Sequence, residues 1–255
     1  MFFSRLRNGN RISRKHVVEV GWVLQTDHAR FIWDAPRSLK RQDASPEHAK
    51  SVLYCPAVID QESRLFEVPC PFDLHLRIRC DEAGEATLID VAGDNSGITS
   101  RALMQLTVLS QRKQWRHPDR PLMQFKTPYT FIADEPVFLS QMPPFLFYRD
   151  PSWPGVVIGG RIPIHIWPRP LSWAFEWHDM TKDFILQRGQ PWFYVRFETM
   201  DASRHVRLVE AELTAELRNY FAGINGVTNY MNGTFSLFPT AQARRPKQLL
   251  VKARR

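Results

Sequence analysis

Cysteine is scarce in this 255-residue chain, with only Cys55, Cys70 and Cys80 present. Three thiols cannot build a disulfide scaffold, and an odd count leaves at least one free. No apolar run reaches the roughly 18 residues that a membrane-spanning helix needs. The 12 glycines follow no fibrous repeat, and a hydrophobic share of 44% is too high for a disordered chain. A glycine-rich phosphate loop, a nucleophile elbow and a paired-cysteine zinc motif are also missing. What remains is a globular protein of a length that suits one large domain.

Acidic residues are absent from both ends. Residues 1–15 hold Arg5, Arg7, Arg11, Arg14 and Lys15, and residues 244–255 hold Arg244, Arg245, Lys247, Lys252, Arg254 and Arg255. Taking these eleven from the 34 Lys and Arg leaves 23 against 26 acids, so the body between carries a net −3. Charge divides the chain into a basic arm (1–15), a β-rich domain (16–238) and a basic tail (239–255). Such ends suit salt-dependent contact with a polyanion or an acidic partner. Both are expected to extend from the body and to add little to its stability. The opening residues do not read as a secretory signal, because Phe2 and Phe3 run straight into Ser4 and Arg5. The expected location is cytoplasmic, or on a virion if the protein is phage-encoded.

Between the ends, hydrophobic patterning predicts strands. Residues 16–24 alternate, with 30–33 as a possible partner; Ser45 followed by Pro46 reads as a helix start. Residues 74–80 alternate strictly and should form a hairpin with 86–91 across the turn 81–84. Short aromatic and β-branched stretches follow at 125–131, 137–139, 156–158, 162–167, 173–177 and 192–197. Pro128 and Pro163 mark edges or bulges. Beyond residue 200, Ser203 caps an apolar stripe that predicts a helix over about 203–222, stopped by Gly223. The fold class is mainly β: an antiparallel sandwich or jelly-roll-like single domain with a C-terminal helix.

The densest feature is the segment from Trp167 to His178. On a strand, Trp173, Phe175 and Trp177 share one face, while Ala174, Glu176 and His178 share the other. Those rings form either a packed core or the floor of a binding site, with Trp167 beside it and Arg169 or Glu176 at its lip. Glu67-Val-Pro-Cys-Pro-Phe-Asp73, Phe125-Lys-Thr-Pro-Tyr-Thr-Phe131, the strand from Trp173 to Trp177 and the turn Gly189-Gln-Pro191 carry a family resemblance. Over about residues 55–198 the chain resembles a family of β-rich bacterial and phage-encoded proteins, domain of unknown function 6065. The resemblance implies one β-rich domain and no established activity. Trp167-Pro-Arg169-Pro stands where an acidic residue is expected ahead of the tryptophan strand.

Two functions from different classes fit these residues. The first is a non-enzymatic binding or assembly protein, phage-associated as the resemblance implies, which contacts a protein partner or its own copies. Trp167, Arg169, Trp173, Trp177, Arg244 and Arg245 would make the contacts, with no metal or other cofactor. The second is a non-haem iron, 2-oxoglutarate-type oxygenase. His117, Asp119 and His178 would supply a two-histidine, one-carboxylate ligand set, and Arg188 would hold the cosubstrate carboxylate. That reading requires the three ligands to converge on one point.

Overall fold

Alternation in residues 17–24 places Val18, Val20, Trp22 and Leu24 on one face, and all four are buried. In the computed structural model, which describes residues 17–26, 28–40, 51–147 and 152–254, this strand is β1 (Val17–Leu24). It is the middle strand of a three-stranded sheet. Its neighbours are β8 (Tyr129–Ile132), antiparallel, and β15 (His205–Glu210), parallel. Residues 30–33 do not pair with it. Ala29 is left-handed (φ 52°), Thr26 bonds back to His28, and Arg30–Ile32 forms a 3-10 turn. The chain reverses there too tightly to lay down a partner strand. The basic arm (1–15) and the helix start at Ser45 lie outside the described residues.

Every other strand pairing among the described residues is antiparallel. A five-stranded sheet runs β11 (Arg161–Pro163), β9 (Val137–Met142), β14 (Pro191–Thr199), β3 (Leu65–Pro69) and β2 (Arg37–Ser38). A four-stranded sheet runs β10 (Gly155–Ile158), β12 (Ser172–Trp177), β7 (Leu122–Lys126) and β6 (Thr107–Leu109). The expected hairpin forms from β4 (Leu74–Cys80) and β5 (Ala86–Asp90), with β13 (Phe184–Leu186) added beside β4. The stretch 125–131 is two strands in different sheets. Thr127 turns away to bond the Leu171 carbonyl, and Pro128 has no N–H to continue a ladder. A mainly β single domain, largely antiparallel and with a C-terminal helix, is therefore what the sequence forms.

All four sheets contribute to one core. Trp173, Phe175 and Trp177 are fully buried and pack against one another and against Trp192 and Phe184 at centroid distances of 4.8–6.2 Å. Each such ring contributes on the order of 2–3 kcal/mol through burial.

The C-terminal third departs from expectation twice. The predicted helix over 203–222 is a strand followed by a helix. Ser203 bonds to Asp201 in a turn, and Val206 and Leu208 pack from β15 against the main core. Thr214 is the actual cap, accepting the Leu217 amide, and α3 spans Ala215–Ile224. With α1 (Pro56–Ser63) and α2 (Ser100–Leu106) earlier in the chain, the last helix is α4 (Phe238–Arg244). The second departure is the basic tail, which is packed. Leu249 and Leu250 are buried. The Glu212 amide bonds the Val251 carbonyl at 2.7 Å, and the Ala253 amide bonds that of Glu210 at 3.0 Å. Counting charges hid the apolar run Leu249-Leu250-Val251, which is long enough to dock.

These residues close a second core over the outer face of β1, where Val23 and Ile132 meet Leu217, Phe221 and Leu249. Gly21 faces the same way. A Cβ there would lie 2.9 Å from both Ala211 Cβ and Ile132 Cγ1, so its bare backbone admits this layer.

Candidate binding cleft

Three of the sequence-predicted contact residues meet in space. Trp167, Arg244 and Arg245 line one cleft of about 980 Å³ between α3, the loop that follows it, α4 and residues 245–248. Trp167 arrives because β11 ends at Pro163, not at 167 as the apolar pattern suggests. The amides of Ile166 and Trp167 both bond the Pro163 carbonyl, and that turn swings the indole out of the main core. It packs instead against Phe238 at 5.5 Å and is 6% exposed.

Tyr220 ties the walls together. Its hydroxyl lies 2.7 Å from the Ile166 carbonyl and 3.0 Å from the Ala241 carbonyl, and burial pushes its pKa up. Arg245 is also a structural tie. Its guanidinium donates to the Asp134 carbonyl and lies 3.7 Å from the Asp134 carboxylate. The same carboxylate oxygen accepts the Leu249 amide at 2.6 Å. Arg245 thus holds the tail down, which corrects its expected role as a free contact. Arg244 ends α4, and Pro246 lies just beyond it. Arg244 and Lys247 are exposed and make no ion pair among the described residues.

The trough itself is apolar, lined by Trp167, Ile224, Val227 and Leu237, with Tyr230 (89% exposed) and Met231 at the lip. Gly223, expected to stop a helix, lies inside α3 and lines the cleft. A Cβ on it would meet nothing within 4 Å. Tyr220, Gly223 and Tyr230 were not legible as site residues, and Lys247 was legible only as one charge of the basic tail. The one available signal was exposed aromatics in a Gly- and Asn-rich stretch, which marks a loop but not what it borders.

The other expected residues fall elsewhere. Arg169 borders an adjoining recess of about 510 Å³ that shares Trp167 and Ile224 with the main cleft. Trp173 and Trp177 are sealed in the main core, so they are no binding floor. Glu176 is buried behind them, 3.0 Å from His178 Nε2 and 3.8 Å from Arg120, with its second oxygen unpartnered.

The iron-binding set does not assemble. His117 and Asp119 sit in an exposed loop, where the Asp119 amide bonds His117 Nδ1 at 3.3 Å and its carboxylate points to Arg112. His178 is engaged with Glu176. Among the described residues no group of three or more His, Cys, Asp or Glu could hold a metal ion. Without that convergence the oxygenase reading loses its ligand set, and Arg188, whose amide bonds Asp73 in a turn, has no metal-bound cosubstrate to hold.

No helix among the described residues is long and apolar enough to cross a membrane. Comparison with protein-family models, curated proteins and solved structures finds no match to this chain, so the resemblance over residues 55–198 stands only on the motifs that carry it.

Proposed function

We propose that the protein is a binding protein whose recognition site is the C-terminal cleft. One observation carries this reading: an open apolar trough with the Trp167 indole in its wall and two uncommitted cations beside it. A concave, mainly apolar site with a few polar groups is the usual form of a ligand site. Its described lining holds no histidine, cysteine or aspartate, Tyr220 is already hydrogen-bonded, and Glu216 and Lys247 make no side-chain hydrogen bond among the described residues, so no paired acid–base or nucleophile–base arrangement favours an enzymatic reading. Polyanion contact through the tail is narrowed, because Asp134 engages Arg245 and Glu19 engages Lys252. An assembly or phage-accessory role draws on the resemblance over residues 55–198, whereas the cleft, Trp167 apart, is built from residues 216–248.

The test is to plug the trough. Gly223→Trp should fill open space without displacing backbone, leave the melting temperature close to wild type, and abolish binding of the fluorescent apolar probe anilinonaphthalene sulfonate. Equal probe binding by both proteins would remove the cleft as the recognition site.

A further inference from the structure

The cleft's size, apolar walls and unbalanced charge also specify a ligand class, provided that it is the recognition site. We infer that it takes a small amphipathic anion, with an apolar chain or ring body in the trough and a carboxylate or phosphate head held by Arg244 and Lys247.

Size argues for a small molecule. A volume of about 980 Å³ lies at the upper end of the ~300–1,000 Å³ typical of ligand pockets. A stable protein partner would need about 800 Å² of surface on each side, well beyond what one trough presents. The walls come almost entirely from a single stretch of chain, 216–248, and enclose space that the chain leaves unfilled above Gly223.

Charge argues for an anion. Four charged side chains line the cleft: Arg244, Arg245, Lys247 and Glu216. Asp134 compensates Arg245, and Glu216 sits in the first turn of α3, where the amide dipoles favour a negative group. Arg244 and Lys247 have no such partner among the described residues. An anionic head beside them gains charge-assisted hydrogen bonds without first breaking an ion pair. Tyr230 and Met231 at the lip suit the other end of the molecule. A flexible thioether and an exposed ring can close over apolar bodies of different shape.

The experiment is calorimetric titration of the full chain with dodecanoate, dodecyl phosphate and dodecanol, each below its micellar concentration. The inference expects one or both anions to bind at least about tenfold tighter than the alcohol, the gain of one charge-assisted contact. The tighter anion identifies the head. The double variant Arg244→Gln/Lys247→Gln should erase that preference with an unchanged melting temperature, and added salt should weaken the anions alone. Alcohol and anions binding equally, with no effect of the double variant, would overturn the anionic head while leaving the cleft as an apolar site. No binding by any of the three, or binding untouched by Gly223→Trp, would overturn the cleft reading itself.

Discussion

Two aromatic-rich regions of this chain use the same side chains to opposite effect. Around β12, Trp173, Phe175 and Trp177 are fully buried because the strand is flanked by β10 and β7 and its rings meet Phe184 and Trp192. Around Trp167 the covering layer is two short helices and an irregular tail. At ten residues α3 is roughly 15 Å long, and α4 is shorter. Such a layer seals the outer face of β1 but leaves its own far side open. Aromatic density therefore marks burial in both regions, and only the incomplete closure of the second leaves a cleft with one edge of a buried indole in its wall.

The sharpest way to break this contrast is to truncate a ring in the sealed region. Trp173→Ala should cost about 3–5 kcal/mol, read from denaturant midpoints, because surrounding strands cannot collapse into the void. A loss below about 1 kcal/mol would mean that the core tolerates the cavity and is not the tightly packed region described.

The C-terminal layer should respond less. Leu249→Ala is expected to cost about 2–3 kcal/mol and to weaken probe binding in the cleft together with stability. An unchanged midpoint would return residues 244–255 to the solvated tail that their charge suggests.

Smaller still is the clasp on the outside of the sealed region, where Asp183 takes a bidentate contact from Arg77 at 2.6 and 2.8 Å and meets His75 at 2.7 Å. The Arg77 hydrogen bonds come first in holding the Asp183 carboxyl down at about 2, with His75 adding to them. An unfolded aspartate titrates near 3.9, so folding binds fewer protons in this window. The clasp's contribution is complete above about pH 4 and is lost as pH falls towards 2. Asp183→Asn should accordingly lower the melting temperature at neutral pH, with the gap to wild type closing through that range. A pH-independent gap would assign the loss to packing.

The smallest stability effect belongs to Arg244→Gln/Lys247→Gln, within about 0.5 kcal/mol of wild type as exposed positions should be. A larger loss would show that these cations serve the fold as Arg245 does.

Legibility in the sequence follows the same division. The hairpin from β4 and β5 and the tryptophan strand β12 were readable because each has a single clean period next to a turn. Residues 203–222 failed because a strand with β-branched Val206 and Val209 runs into a helix, and their merged pattern imitates one helical stripe. Of the candidate site residues, Trp167 and Arg244 were named for their type and do reach the cleft. Arg245 was named for its charge, yet Asp134, 111 residues away, turns it into a structural tie. The pair His117 and Asp119 had ligand spacing but no third ligand in reach.

By itself the sequence determined which faces are apolar, where turns interrupt them, and hence a mainly β domain with its aromatic strands inside. These properties follow from local period and residue type. Tertiary structure alone decided that Trp167 leaves the main core for the second one at the Pro163 turn, that the basic tail docks through Leu249 and Leu250, and that Gly223 overlooks empty space. The reason is physical: a cleft is the volume that packing leaves unfilled, and it depends on contacts between segments far apart in the chain, which no local pattern records.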